Sequence, residues 1–323
     1  MKKYVVLFLC FLFFVTGCGN TKELKTPEYK SAYEVTDYQG TKIKLAHKPQ
    51  RIITDSFGLD EIVLGLVPVE KLAAVNYLDQ DPAISFIAGE TKNIKHTLKN
   101  YGTEEILSLH PDMFIASTWT DTAKIQTLRQ MNIPVVVCRG PASVKEVKAN
   151  VSLVAAALGE KDRGKNINEQ VDAELAKIAE VLKKQHKPQP IVLLVSLMSS
   201  YGGTGSLYDA LCRQAGLVNG IAKVGIKNGE FLAKELVVQA NPDLFILSAP
   251  SQSDEKQYAQ YRKQFMSDPA LQSLTGIKNV AVLPDRYIYC SSQNIVYGIK
   301  ALANKGYGQE LFPMNHEICI KGY

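Results

Sequence analysis

Several things this chain lacks narrow its chemistry. It has no CxxC pair, no GxxxxGK[ST] or GxGxxG loop, no GxSxG elbow and no HExxH helix, so the common signatures of redox, nucleotide, hydrolase and zinc-protease sites are missing. It has no basic block or arginine-rich stripe, so nucleic acid is not an expected partner. Its five histidines (His47, His96, His110, His186 and His316) show no metal-like pairing. Only one tryptophan, Trp119, is present. Beyond the first residues no uninterrupted apolar run approaches the length that spans a bilayer core of roughly 30 Å.

What the chain does have begins at its N-terminus. Lys2-Lys3, an apolar core from Tyr4 to Val15 and small residues after it form a secretory signal too short to span a membrane. The signal ends in Val15-Thr16-Gly17-Cys18, a lipobox whose Cys18 becomes the acylated first residue of the mature protein. A polar stretch up to Tyr33 follows, with little to bury, and reads as a tether. The expected location is therefore outside the cytoplasm, lipid-anchored to the cell membrane. Loss of Lys2 and Lys3 lowers the formal charge from +5 to +3, because all 32 acidic residues lie in the mature part.

Cys10 leaves with the signal, and Cys138, Cys212, Cys290 and Cys319 remain. An exported location permits disulfides, yet the wide spacings give no framework. Buried thiols and one optional bridge are equally compatible with them.

The body has ordinary globular composition, 46% hydrophobic and 21% charged, and its length suits two lobes. Alternation from Val35 to Leu45 around Asp37-Tyr38-Gln39-Gly40 predicts a β-hairpin. Short apolar strands then alternate with helices (strands at Ile52, Leu72–Val75, Met113–Ala116 and Val135–Cys138), the pattern of βαβ units and a parallel sheet. From Val144 to His186 the pattern turns helical. Ile167, Val171, Leu175, Ile178 and Leu182 draw one apolar stripe along a long helix that Pro188 and Pro190 end. Alternation resumes at Ile191. The expected fold is α/β, two Rossmann-like lobes with parallel sheets joined by one long backbone helix. The expected division is signal 1–17, tether 18–33, hairpin 34–50, first lobe 51–143, connecting helices 144–187 and second lobe 188–323.

The halves repeat each other. Glu104-Glu105-Ile106-Leu107-Ser108-Leu109-His110-Pro111-Asp112-Met113-Phe114-Ile115 aligns without a gap to Glu235-Leu236-Val237-Val238-Gln239-Ala240-Asn241-Pro242-Asp243-Leu244-Phe245-Ile246. Glu, Pro, Asp, Phe and Ile match in place, so a short helix, a proline stop and a strand recur in both lobes.

On these residues the chain resembles the substrate-binding proteins of ABC importers for ferric siderophores, haem and cobalamin, a class III periplasmic-binding family. Thr36-Asp37-Tyr38-Gln39-Gly40 with Pro49-Gln50-Arg51-Ile52-Ile53 looks like that family's opening hairpin and first strand. Tyr201-Gly202-Gly203-Thr204-Gly205-Ser206 with Gly216-Leu217-Val218-Asn219 looks like the start of its second lobe. The resemblance implies a non-enzymatic carrier with no intrinsic cofactor, working as a monomer and delivering a metal chelate to a permease dimer, with lipid as its only membrane contact. It assigns Glu104 and Glu235, one per lobe, to docking on permease arginines. An acid in a first helical turn also complements the helix dipole by about 0.3 to 1 kcal/mol with no partner at all.

Ligands of open parallel sheets collect at the carboxyl ends of strands. Those ends, with the family's aromatic pocket walls, nominate Tyr77, Trp119, Tyr201 and Tyr287 as flat surfaces and Arg139 and Arg286 as planar donors for carboxylates or catecholates. Two rivals stand beside this reading. One is a bare-metal binder. The other is a nucleotide-binding α/β enzyme using the loop Gly202–Gly205, which follows a strand and precedes a helix.

Overall fold

The computed structural model describes residues 32–186, 188–249, 255–315 and 317–323. The export signal and the lipid-site Cys18 lie outside the described residues, as does all of the tether but its last two positions. Strands β1 (Tyr33–Thr36) and β2 (Lys42–Leu45) pair antiparallel as the expected hairpin. Val35, Ile43 and Leu45 turn inward while Glu34, Lys42 and Lys44 turn out, the period-2 pattern of a half-buried ribbon. Asp37 closes the turn by accepting from the amides of Gln39 and Thr41, and Gly40 takes the positive φ (81°) the turn needs. The same carboxylate pairs with Arg129 at 3.0 Å, which fastens the hairpin to the first lobe.

That lobe contains β3 (Ile52–Thr54), β4 (Val75–Asn76), β5 (Thr97–Leu98), β6 (Met113–Ser117) and β7 (Val135–Cys138). Strands β3, β6 and β7 form a parallel sheet in that order, and every one of their residues is buried. Helices cover both faces of such a sheet, which explains continuous apolar runs in place of alternation. The strand expected at Leu72–Val75 is shorter: only a bridge from Leu72 to Ile52 and the two-residue β4 form. The second lobe holds β8 (Ile191–Val195), β9 (Val218–Asn219), β10 (Leu244–Ala249) and β11 (Val280–Pro284), all parallel in the order β11-β10-β8-β9.

The repeat seen in sequence does the same work in both lobes. Asp112 accepts from the amides of Gln50 and Arg51 (2.7 and 2.8 Å) just before β3, and Asp243 accepts from the amide of Ile191 (2.8 Å) at the start of β8. The residue before each proline, His110 or Asn241, takes a left-handed conformation (φ 47° and 45°). A short helix is thereby turned into the central strand of each sheet.

Between the lobes, the helix Lys161–Lys183 spans about 34 Å at roughly 1.5 Å per residue. Ile167 meets Gly65 of the first lobe near one end, and Leu182 meets Gly216 of the second near the other. The C-terminal residues bind both bodies: the Gly322 amide donates to Gly65, and the Ile320 amide to Asn294.

At the seam itself lies Glu61, fully buried on the helix Phe57–Leu66. Its carboxyl accepts from the Phe86 amide (2.8 Å) and Ser85 Oγ of its own lobe, and from Asn294 Nδ2 (2.9 Å) and Ser292 Oγ of the other. Burial raises its pKa, while these donors pull it back. Glu61→Ala should strand at least three buried donors at about 1 to 3 kcal/mol each. Urea unfolding should show a loss of about 3 kcal/mol or more; a loss below about 1 kcal/mol would mean the seam does not depend on this carboxyl.

Candidate functional site

The carboxyl ends of β3, β4, β6 and β7 present Asp55, Tyr77, Trp119 and Arg139 on the first lobe. Asp55 organises this end of the sheet. Its Oδ2 accepts from the Ser117 amide (2.6 Å), from Ser117 Oγ (2.8 Å) and from Thr120 Oγ1, and these bonds fold the loop after β6. The loop lifts Trp119 into solvent, where it is 70% exposed. Its indole packs against Gly140, where a Cβ would come within 2.5 Å of the ring, so only glycine admits this close approach. Tyr77 opens the short helical turn Tyr77–Gln80, is 39% exposed, and has Lys99 Nζ 5.2 Å from its ring centre. Arg139 is exposed but engaged, paired with Glu146 at 2.9 Å and lying over the ring of Tyr38.

On the second lobe, the loop after β8 exposes Leu197 and Met198. The segment carrying Phe231, 70% exposed, is stitched to that loop by a bond from the Gly229 amide to the Ser200 carbonyl (2.7 Å). Tyr201 is half-buried behind the rim, its hydroxyl accepting from the Tyr208 amide (3.2 Å). Its ring packs on Tyr289 with centres 5.2 Å apart. Tyr289 sits at the centre of the strand ends, bonded to Ser196 Oγ at 2.6 Å and in reach of Ser248 Oγ. Burial raises the pKa of both phenols, so each remains protonated.

Arg286 and Tyr287 stand apart from this group. Arg286 donates to the Tyr287 hydroxyl (2.8 Å) and pairs with Glu317 (3.3 Å), while its amide bonds the Ala83 carbonyl of the first lobe. Phe86 packs edge-on against Tyr287, which is buried. The pair closes the contact between lobes, with Arg286 Nη2 and the Tyr287 hydroxyl bonded to Glu317, while Arg286 Nε is buried without a hydrogen-bond partner. Met198, Phe231 and Tyr289 were not singled out from the sequence. Nothing in the loop before Phe231 has a strand period, and Tyr289 follows the four-residue helix Asp285–Ile288, where no strand pattern runs.

The glycine loop has its own structural account. A Cβ at Gly203 would fall 2.6 Å from the Ile226 carbonyl oxygen, and the Thr204 amide donates to that oxygen. The Gly202 and Ser206 amides are likewise bonded within the protein, so the loop does not present a ring of free amides to a phosphate. Among the described residues no group of three or more His, Cys, Asp or Glu is arranged to hold a metal ion. The four described cysteines are buried and unpaired. A cavity of about 960 Å³ lies away from the strand ends, between the backbone helix, Tyr297 and the C-terminal residues. Its charges are paired with one another (Lys300 with Glu174, Lys321 with Glu90), so size alone does not mark the binding site.

Glu104 and Glu235 are both exposed in the first turns of the equivalent helices Thr103–Ser108 and Lys234–Ala240, and neither forms an ion pair among the described residues.

Two parallel-sheet lobes fixed on one long helix, with an aromatic rim at the strand ends, define a bilobed binding protein. The chain belongs to the periplasmic binding protein family, whose model matches residues 65–287. Comparison with curated proteins gives no match. Among solved structures it is similar to the periplasmic heme-binding protein RhuT from Roseiflexus sp. RS-1 in apo form, with 22% identity and a TM-score of 0.69 over 80% of this chain and 98% of that one. The periplasmic heme-binding protein BhuT in complex with two hemes matches at 19% identity and a TM-score of 0.67, covering 81% and 99%. A possible iron-binding (periplasmic solute-binding) protein from Staphylococcus epidermidis ATCC 12228 matches at 18% and 0.63, covering 80% and 99%. At these identities the likeness concerns the fold.

Proposed function

We propose that this protein is the binding component of an ABC importer, held outside the cytoplasm through Cys18, and that it carries a flat metal macrocycle with haem as first choice. The observation that carries the reading is the solvent-facing apolar set at the strand ends: Tyr77 and Trp119 on one lobe, Leu197, Met198 and Phe231 on the other. Such surface is costly to leave wet unless a ligand covers it. Two apolar walls suit a ring with two apolar faces better than a hydrophilic ferric siderophore, for which the cleft would need free cations. Arg139 is already paired with Glu146, and Arg286 with Glu317, whereas Lys99 lies beside Tyr77 and forms no ion pair among the described residues, placed for a ring carboxylate. Tyr77 also offers an exposed phenol to ferric iron. The heme-binding proteins that share the fold support this choice.

Titrating the purified mature protein with hemin should quench Trp119, the only tryptophan, as the absorbing ring settles beside it. Tyr77→Ala should weaken hemin binding by about 1 to 3 kcal/mol. Saturable quenching that is unchanged in Tyr77→Ala would move the ligand away from that wall, and binding of a ferric siderophore in place of hemin would overturn the macrocycle.

Glu104 and Glu235 are proposed as the permease contacts. Two fixed anions on equivalent helices can register a bilobed body on a two-fold partner. Charge pairs desolvated at an interface couple by about 1.5 to 7 kcal/mol, whereas exposed ones give about 0 to 1. Reversal of both to Lys should abolish uptake by cells and leave hemin affinity of the purified protein within about twofold of the parent, a difference of about 0.4 kcal/mol. Normal uptake by that variant would return these acids to a purely helix-starting role.

A further inference from the structure

The segment between β7 and the helix Val144–Ala157, on which Trp119 rests, is held by side chains from other elements. Arg139 donates its amide to Asn150 Oδ1 (3.2 Å), Gly140 to Thr118 Oγ1 (2.9 Å) and Ala142 to Glu146 Oε2 (2.7 Å), while Pro141 between them has no N–H to place. Asn150 Nδ2 donates in return to the Arg139 carbonyl at 2.7 Å. Asn150 is buried, and a primary amide is the side chain that can accept from one backbone group and donate to another there. Glu146 and Asn150 stand four residues apart on one face of their helix, so the helix sets the course of this segment where the sheet has ended. Thr118, the residue before Trp119, ties the other side. Its hydroxyl takes the Gly140 amide, and its own amide donates to the Cys138 carbonyl (3.0 Å).

Gly140 is the point at which this segment meets the indole. A Cβ there would lie 2.5 Å from Trp119 Cε2 and 2.7 Å from Cζ2 and Nε1, the three nearest atoms. The Gly140 backbone lies outside the left-handed region, so the missing side chain makes room for the ring and serves no turn. A tryptophan that is 70% exposed would otherwise sample several rotamers and be ordered only as a ligand arrives, which weakens binding. We propose that Gly140 is the seat of the Trp119 ring and that Asn150 fixes the seat, so that this wall of the cleft is already ordered in the ligand-free protein. Both are positioning residues that act on affinity through Trp119. Their effect on affinity rests on the binding reading, whereas the ordering of the ring concerns the protein alone.

The test begins with the ligand-free mature protein, in which Trp119 is the only emitter of its kind. Steady-state anisotropy of its emission should fall, and quenching by acrylamide should rise, in both Gly140→Ala and Asn150→Ala. Unchanged anisotropy and quenching in both variants would overturn the seat, and a change in Gly140→Ala alone would overturn the part given to Asn150. Gly140 is half-buried with an ordinary backbone, so Gly140→Ala decides if Asn150→Ala does not fold.

Hemin affinity, read from the absorption of the ring, carries the second half. Each substitution should weaken binding about three- to tenfold, the ordering cost of one side chain. In a Trp119→Ala background the same substitutions should change affinity by less than about twofold, because the residue through which they act is gone. A loss that persists undiminished in that background would overturn the positioning role. No hemin binding by the parent protein, with the anisotropy still falling in the variants, contradicts the haem assignment and leaves the seat of Trp119 standing.

Discussion

The constraint on which this molecule depends is a single carboxyl group buried where two lobes meet. Glu61 cannot be solvated in place, so donors from both bodies must converge on it: Phe86 and Ser85 from its own lobe, Ser292 and Asn294 from the other. A group that needs partners from both sides fixes their relative position more tightly than apolar contact can, because moving the lobes apart would leave it unpaired. The backbone helix and the C-terminal residues reinforce the same geometry, with Gly322 on Gly65, and Tyr323 lying under the guanidinium of Arg163. On the proposed binding reading, a ligand meets two lobes that this contact already holds together.

That fixed frame explains the division of labour among the residues near the strand ends. Those close to the seam are consumed by it. Arg286 and Tyr287 face Phe86, Ala83 and Glu317 and join the two lobes there. Those further out are held by their own lobe and left facing water. Trp119 rests on Gly140 beside the loop that Asp55 folds, Tyr77 rides on a turn capped by Asn76, whose amide donates to Asp60, and Met198 and Phe231 belong to loops tied together through Ser200. Tyr201 and Tyr289 form the buried backing of that second wall.

What could be read from the sequence was what local chemistry sets. The hairpin, the strands at Met113–Ala116 and Val135–Cys138 and the long helix follow from alternation, apolar runs and a stripe at helical spacing, and each formed close to its expected bounds. The Pro-Asp repeat was legible because Asp112 and Asp243 act on strand starts near them in the fold, by a mechanism that recurs whole. The two-residue β4 was less so: Leu72 to Val75 has a strand's composition, yet sheet pairing, which is not local, supports only its ends. At the site, Tyr77 and Trp119 are exposed at strand ends, as the topology rule placed them. The surroundings of Arg286 and Tyr287 were not legible, because they depend on Ala83, Phe86 and Glu317, far away in sequence. Met198, Phe231 and Tyr289 gave no pattern to find, since irregular loops carry no period.

Coverage of the exposed aromatic surface by a flat metal macrocycle is tested most directly by the visible absorption spectrum of the protein purified from its own cells. A chain that carries a flat metal macrocycle should arrive coloured, with the intense ring absorption of a porphyrin in a fixed ratio to protein, and should lose that band in parallel with recovery of Trp119 emission when the ring is extracted. Protein that is colourless from cells supplied with haem, with Trp119 emission unchanged by the same extraction, would contradict it.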